Sequence, residues 1–179
     1  MKKLMMTVLS LIILGSSSFA QKMVGGAAMY ATKNIIENAV NSNDHTTLVA
    51  AVKAAGLAET LQGKGPFTVF APTNDAFAKL PAGTVDNLLK PENKAVLSGV
   101  LTYHVVAGKW SSADVAQAIK ASDGKAELKT VQGGKLWAMM VGNDVVLKDE
   151  KGNTAKITIM DVEQSNGTIH VVDAVLMPK

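Results

Sequence analysis

The feature that most constrains the fold is a change in the spacing of apolar residues near Gly124. Before Gly124, apolar side chains recur three and four positions apart, which predicts amphipathic helices. After it, short apolar runs are separated by turn residues such as Gly-Gly and Asn-Gly, which is typical of hairpins in an antiparallel meander. Helices in one part of a chain and antiparallel strands in the other predict an α+β domain.

Apolar spacing and capping residues predict five helices before Gly124. The first two are a segment near 33–41 with Ile36, Ala39 and Val40 on one face, and a segment with Leu48, Ala51, Val52 and Ala55 buried ahead of Gly56. The third is a short helix capped by Thr73 or Asn74 and ending by Leu80. The fourth follows Pro91 and reaches Tyr103, with Leu97, Val100 and Leu101 inward. The fifth begins with a capping box at Ser111–Asp114 and has Val115, Ala118 and Ile119 inward.

Three segments carry most of the sheet prediction. Pro66–Phe70 is a short apolar run that ends at Pro72. The run Thr154–Met160 alternates apolar and polar residues, as expected for a strand with one face in water. The run Thr168–Met177 is apolar on both faces and is therefore predicted to be a central, buried strand.

The first twenty residues have the pattern of a bacterial-type secretory signal peptide. Lys2 and Lys3 precede the apolar stretch Leu4–Leu14, and Ser18 and Ala20 occupy the −3 and −1 positions of a cleavage site. Crossing a bilayer takes roughly 20 apolar residues, so this stretch is predicted to be removed rather than retained. The protein is therefore predicted to be secreted or periplasmic, with no membrane span after processing.

The predicted organisation is a signal peptide at 1–20, a short N-terminal arm at 21–32 and one domain at 33–179. The chain contains no cysteine, which excludes disulfides, thiolate zinc sites, a cysteine nucleophile and a lipid-modified cysteine. Without Lys2 and Lys3, 16 lysines face 15 acidic residues, and no arginine is present. A nearly neutral chain without arginine is not expected to bind nucleic acid.

A search for catalytic and cofactor motifs predicts a protein that is not an enzyme and has no cofactor or metal. The chain has neither a Gly-x-Ser-x-Gly elbow nor a His-Glu-x-x-His pattern, and Gly63–Gly65 leads into a strand rather than a phosphate-binding helix. Its three histidines, His45, His104 and His170, stand apart in the sequence. A structural hydrogen-bonding role is predicted for His104 and His170, with a ligand or metal role as the alternative.

Three polar or aromatic features have both a structural and a functional interpretation. Asp149–Asn153 is predicted to be a hairpin tip rather than a calcium loop, because its oxygen spacing does not suit the ion. Asn166 begins a glycan-acceptor pattern that also suits a turn. Trp110 and Trp137 could each stack on a sugar, although core or rim packing is the simpler interpretation.

Three motifs together resemble the signatures of fasciclin domains. They are Gly65–Phe77, Tyr103–Val106 and Asn166–Pro178, and their order and spacing also fit. The resemblance implies a wedge-shaped, β-sandwich-like core of mainly antiparallel strands with several helices packed around it. It also implies function by binding, since such domains occur in secreted, periplasmic and surface-attached proteins that mediate adhesion.

The resemblance implies a binding site at the central tyrosine-histidine motif. That motif falls on Tyr103 and His104, with Leu101, Val105 and Val106 beside them. An adhesion motif described in animal members would fall on 159–163, where only Asp161 is identical and Val162 is a conservative replacement. Asp161 and Val162 therefore complete the candidate binding residues.

These observations predict an exported, non-enzymatic adhesion or matrix-interaction module that binds a protein or polysaccharide at the cell surface. The alternative is a periplasmic protein that carries a small ligand in an apolar pocket between sheet and helices. A third possibility, a hydrolase that uses His104 or His170, would need one of these imidazoles as its base.

Overall fold

The architecture is a sheet with helices packed around it, described for residues 21–179 by a computed structural model. The predicted signal peptide lies outside the described residues. The strands of the described part are β1 (Met23–Val24), β2 (Ala27–Ala28), β3 (Phe67–Pro72), β4 (Val105–Ala107), β5 (Lys125–Lys129), β6 (Lys135–Val141), β7 (Asp144–Lys148), β8 (Thr154–Gln164) and β9 (Gly167–Val172). Its helices are α1 (Ile35–Ala39), α2 (Thr46–Ala55), α3 (Ala58–Gln62), α4 (Asn74–Ala78), α5 (Thr84–Leu88), α6 (Lys94–Tyr103) and α7 (Ser112–Ala121).

Strands β3 to β9 form one seven-stranded sheet in the order β4-β3-β9-β8-β7-β6-β5. Strands β5 to β9 follow one another as antiparallel neighbours, which confirms the predicted meander. Strand β3 pairs in parallel with β9, so that Phe67 lies opposite Gly167 and Phe70 opposite His170. The first and last of the three sequence motifs therefore lie side by side on two interior strands of the sheet.

Five of the seven helices described form where spacing and caps predict them, whereas α3 and α5, of five residues each, were not predicted. The α+β class is confirmed. Ser111 caps α7 in a capping box with Asp114, and Gly56 ends α2 in the left-handed conformation that a residue without Cβ adopts readily. The prediction that Val40 shares the buried face of the first helix is wrong. Helix α1 ends at Ala39, and the Val40 side chain is exposed.

The predicted strand Thr168–Met177 is also shorter in the structure, since β9 ends at Val172. Beyond Val172 the backbone is held by side chains and not by a neighbouring strand. The Leu176 N–H donates to His104 Nε2 at 3.0 Å, and the Met177 N–H donates to Asp149 Oδ2 at 2.9 Å. The apolar sequence is buried as predicted, but these polar side chains replace the ladder of a strand.

Two hydrophobic clusters lie on opposite faces of the sheet. One fills the space between helices α1 to α6 and side chains such as Val69 and Ile169. The other includes Phe70, Tyr103 and Val115, and it fills the space between the opposite face and α7. Strand β9 is buried along its whole length, whereas β5, β6 and β7 alternate buried with more accessible residues. The meander therefore leaves one of its faces open to water.

Among residues 21–179, none of the helices has the length and apolar character that crossing a bilayer requires.

Candidate functional site

The central motif lies in the interior, at the junction between α6 and β4. Helix α6 ends at Tyr103, His104 caps it, and Val105 begins β4. Of the seven candidate binding residues, only Asp161 is partly accessible. The buried ones are Leu101, Tyr103, His104, Val105, Val106 and Val162. A partner that docks on the described surface would reach these six only after a local rearrangement, and their direct role in binding stays a prediction.

The Tyr103 hydroxyl connects α6 to two turns of the meander. It donates a hydrogen bond to the Lys135 carbonyl at 2.6 Å and accepts one from the Glu150 N–H at 3.2 Å. Burial of the ring raises the pKa of Tyr103 to about 12, and the charges of Glu150 and Asp149 act in the same direction. The hydroxyl is therefore neutral and has a backbone partner on each side.

Replacing Tyr103 with Phe is expected to lower the free energy of unfolding by about 1 to 2 kcal/mol, because the partly buried Lys135 carbonyl and Glu150 N–H lose their shared partner. Urea unfolding measures the difference. Tyr30→Phe is a matched control on an exposed ring and should change stability by less than about 0.5 kcal/mol. Equal stability of Tyr103→Phe and the parent chain would contradict this role.

His104 uses both ring nitrogens within the fold. Nδ1 donates to the Val100 carbonyl at 2.8 Å, and Nε2 accepts from the Leu176 N–H at 3.0 Å. This pair of contacts defines a neutral ring protonated at Nδ1. Burial lowers the pKa of His104, although the Val100 carbonyl and Asp149 oppose that shift. The residue therefore ties the end of α6 to the C-terminal segment.

His170 is saturated in the same way on β9. Nε2 donates to the Trp110 carbonyl at 2.7 Å, Nδ1 accepts from the Asp161 N–H at 3.2 Å, and the ring stacks on Phe70 with centroids 5.7 Å apart. Burial lowers the pKa of His170 as well. Both rings direct all their nitrogens at backbone groups, so neither offers a free nitrogen for a metal or for proton transfer in this arrangement.

Asp161 lies in an irregular stretch of β8, where the pairing with β9 shifts between Ile159 and Val162. Its φ of 54° is in the left-handed region, which Asp tolerates better than most residues. One carboxylate oxygen accepts from the Ser112 N–H at 2.6 Å and the other from the Ser112 hydroxyl. Asp161 therefore anchors the first turn of α7 to the sheet, where a negative charge also suits the helix dipole.

Burial acts to raise the pKa of Asp161, but the hydrogen bonds from Ser112 and the influence of His170 and Lys22 outweigh it. The pKa of the carboxyl is therefore lowered overall. The acid is ionised near neutral pH, which is the form that can accept both hydrogen bonds from Ser112.

Removing this anchor by Asp161→Ala is expected to lower the free energy of unfolding by about 1 to 2 kcal/mol, in the range of a lost helix cap. Asp123→Ala is a matched control, because Asp123 has the same φ of 54° but caps no helix. The difference in stability between the two variants, measured by urea unfolding, separates the hydrogen bonds from Ser112 to Asp161 from the effect of the backbone conformation. Equal losses in both would show that the carboxylate contributes nothing beyond its backbone preference.

The other features identified in the sequence also have structural contacts. The Asn166 amide accepts from the Ile35 N–H and donates to the Leu61 and Gly63 carbonyls, which supports the turn interpretation. The Trp110 indole donates to the Ala107 carbonyl at 3.3 Å. Trp137 differs, because it lies half-buried on the open face of β6 with the Lys125 ammonium 4.6 Å from its ring centroid.

Two polar residues have roles that sequence reasoning missed. The Asp149 carboxylate accepts from the N–H groups of Lys151 and Asn153 and from that of Met177, so the hairpin tip also holds the C-terminal segment. An Asp two residues ahead of a turn is the signal that could have indicated the first of these contacts. His45 is buried, and its Nδ1 lies 2.8 Å from the Ser42 hydroxyl, while its Nε2 makes no hydrogen bond of normal geometry, although the Ala71 backbone acts to raise the pKa of the ring.

His45 also lines an apolar cavity of about 40 Å³ between the helices and the sheet, together with side chains such as Ile36, Val52 and Val69. An apolar cavity that binds benzene measures about 150 Å³, several times the volume of this one. As described, the cavity beside His45 would not hold a ligand of several heavy atoms. Across residues 21–179, no group of three or more His, Asp or Glu side chains is placed to hold a metal ion.

Comparison with known proteins extends the resemblance found in the motifs. The sequence profile of the Fasciclin domain matches residues 43–178. Protein sll1483 of Synechocystis sp. is 48% identical over 157 residues, which cover 87% of this chain and 79% of that protein. The cell surface glycolipoprotein MPB83 of Mycobacterium bovis is 36% identical over 159 residues, which cover 86% of this chain and 64% of that protein.

The fold has a counterpart among solved structures. A FAS1 domain pair from the insect cell adhesion molecule Fasciclin I superposes with a TM-score of 0.70 at 17% sequence identity, over 81% of this chain and 51% of that one. At this identity the similarity concerns the fold.

Proposed function

Because the chain belongs to the fasciclin domain family, whose members are generally non-enzymatic adhesion-type proteins, we propose that it is an exported interaction module that binds a protein or polysaccharide at the cell surface. The observation that carries the proposal is that the polar side-chain atoms of the central motif already have hydrogen-bond partners within the fold. The Tyr103 hydroxyl and both ring nitrogens of His104 bind backbone groups. The motif thus serves the fold, and the outer surface is left to contact the partner.

The relatives support the same class of function. MPB83 is a cell surface glycolipoprotein, and Fasciclin I is an insect cell adhesion molecule. Export to the periplasm or the medium rests on the signal-peptide pattern at 1–20. N-terminal sequencing of the protein recovered from each fraction of the producing cells would test both the cleavage after Ala20 and the location.

The proposed function is tested by capture. The full chain is expressed with its own N-terminus and a C-terminal tag, purified from the fraction where it accumulates, and incubated with envelope proteins and polysaccharides of the producing organism. We expect a saturable partner, identified by mass spectrometry or glycan analysis, and weaker surface attachment of a deletion strain. The absence of both would overturn the proposal.

A direct role for the motif is tested with Tyr103→Phe and His104→Gln in the same capture experiment. If the buried residues only support the fold, the folded fraction of each variant should bind with the parent affinity despite its lower stability. Loss of binding at full folding, checked by circular dichroism, would instead assign the partner contact to Tyr103 or His104.

A small apolar ligand is the second candidate, and the apolar cavity beside His45, whose Nε2 makes no hydrogen bond of normal geometry, favours it. Such a ligand would bring a polar group to Nε2 and would have to widen the cavity, because only about 40 Å³ is open. Native mass spectrometry after mild purification tests this candidate. A retained mass that is lost in a Val52→Trp variant would support it, whereas a spectrum of the bare chain would exclude a tightly held ligand.

A further inference from the structure

The open face of the meander brings together residues that are scattered in the sequence. We define the meander face by its central side chains Trp137, Met139 and Val146, and by the lysines around them, Lys125, Lys148 and Lys156. All six project from the side of β5 to β8 opposite the cluster that packs on α7, since the alternate residues of these strands are buried.

The strand register arranges these side chains in two adjacent rows. Lys125, Met139, Val146 and Lys156 are successive partners across β5, β6, β7 and β8. With strands about 4.8 Å apart, this row spans roughly 14 Å and has a cation at each end. In the neighbouring row Trp137 lies between Glu127 on β5 and Lys148 on β7, and the Lys125 ammonium of the first row lies over the indole ring, 4.6 Å from its centroid.

Positive charge is concentrated on this side of the sheet. Five lysines project from it against two acids, a balance of +3, whereas residues 21–179 as a whole carry 16 lysines and 15 acids. Lys135 pairs with Glu127 at 3.0 Å and Lys156 with Asp144 at 2.7 Å. Among the salt bridges of the described residues, none involves Lys125, Lys129 or Lys148, so three cations on this side have no carboxylate partner.

We propose that the meander face binds an anionic polysaccharide, an inference that rests on the proposed function and specifies its partner. A sugar ring presents C–H groups on one face, which pack on the indole of Trp137 once the unpaired Lys125 side chain moves from the ring face to its edge, while the equatorial substituents of the sugar point sideways. Carboxylate or sulfate groups at those positions would meet Lys125 and Lys148. Met139 and Val146 extend the apolar floor along the row, as a chain of sugar rings requires.

The chemistry of the face favours this partner over other anions. Lysine is a mobile point charge that pairs with charges spaced along a flexible chain, whereas bidentate recognition of the phosphates and guanine edges of nucleic acid favours arginine, which is absent from the sequence. A protein strand added at the edge of the sheet is disfavoured, because the edge strand β5 alternates exposed charges at Lys125, Glu127 and Lys129. A flat, solvated face between those charges suits an extended polymer.

The test is binding of the full chain, purified as above, to immobilised polygalacturonate and dextran sulfate, with neutral dextran as the reference. Saturable binding to the anionic polymers that weakens as salt is raised is expected, since exposed charges are screened. Trp137→Ala should weaken it by about tenfold or more, as for a central aromatic contact. The double variant Lys125→Gln, Lys148→Gln should weaken it and flatten its salt dependence.

The matched control is Lys53→Gln, Lys90→Gln, which removes the same charge from exposed positions on the helical side and should leave binding unchanged. Equal weakening by both double variants, unchanged binding of Trp137→Ala, or equal binding to anionic phospholipid vesicles or single-stranded DNA would overturn the polysaccharide assignment. The inference can fail while the proposed function stands. That is the outcome if the parent chain binds neither anionic polymer and Trp137→Ala still captures the envelope partner. If the parent captures nothing from the envelope and binds no polymer, both fail.

Discussion

Lowering the pH from about 7.5 to about 5.5 is expected to reduce the free energy of unfolding by up to about 4 kcal/mol. The cause is the burial of His45, His104 and His170, each of which has a pKa lowered by desolvation. The contribution of one histidine over this interval approaches about 1.4 kcal/mol when its folded pKa lies well below the interval. Because small domains are stable by about 5 to 15 kcal/mol, the loss is large.

The direction follows from proton binding. In the unfolded chain a histidine has its ordinary pKa of 6.5 and binds a proton as the pH falls through that value, whereas burial lowers the pKa of the folded ring, which binds the proton only at lower pH. Stability is therefore complete above about pH 6.5 and decreases below it. Asp161 and Asp114 also have lowered pKa values, but their ordinary pKa is 3.8, so their contribution is lost only in more acidic solution.

Urea unfolding at a series of pH values measures this dependence. A His170→Gln variant keeps a buried polar side chain but cannot titrate, and its pH-dependent loss should be about one third smaller than that of the parent. A profile that is flat between about pH 7.5 and 5.5 would show that the three rings can become charged inside the fold.

Gly167→Ala is the substitution expected to be most destabilising, with a loss of at least about 3 kcal/mol and, at the extreme, no folded protein. A Cβ atom at this position would lie 2.0 Å from the Phe67 carbonyl oxygen and 2.9 Å from its carbon. Gly167 is the partner of Phe67 in the parallel pair of β3 and β9. Both strands are largely buried, so they have no room to separate and relieve the contact.

Gly99→Ala is the matched control for Gly167→Ala. Gly99 lies within α6 and a Cβ there would meet no atom within 4 Å, so the change should stabilise the helix by up to about 1 kcal/mol. Yield of soluble protein and urea unfolding compare the two variants. A loss below about 0.5 kcal/mol for Gly167→Ala would mean that β3 and β9 pair less closely than described.

Local chemistry allowed much of this fold to be predicted. The series from Leu48 to Ala55 follows the period of a helix, Ser111 and Asp114 form the predicted capping box, and turn residues after Gly124 separate antiparallel strands. Each of these features depends on residues a few positions apart, and helix and hairpin preferences act at that distance.

Features that depend on distant parts of the chain could not be predicted in the same way. The parallel pairing of β3 with β9 joins segments about 100 residues apart, and no local pattern specifies it. The contacts of Asp149 with Met177 and of Asp161 with Ser112 likewise arise only after the chain folds back. Val40 continues the helical spacing in the sequence, but the helix ends before it and leaves its side chain in water.

The candidate site illustrates both cases. The motif at Tyr103 and His104 is visible in the sequence, but its burial follows from the packing of α6 against the sheet. The sequence presents Trp137 as a residue that could stack on a sugar, yet its position between Glu127 and Lys148, with Lys125 over its ring, depends on the register of three strands. The alternation of charged and apolar residues in β5 gives the outward direction of its lysines, but not their neighbours.

We expect the partner to bind the meander face and not the buried motif at Tyr103 and His104. Comparing Trp137→Ala with Tyr103→Phe decides between these two sites. Affinity for polygalacturonate or the captured envelope partner is measured beside urea unfolding for both variants. We expect Trp137→Ala to lose affinity while remaining folded, and Tyr103→Phe to lose stability while its folded fraction binds as the parent does. The reverse result, binding lost in folded Tyr103→Phe and kept in Trp137→Ala, would contradict a surface site and assign recognition to the central motif.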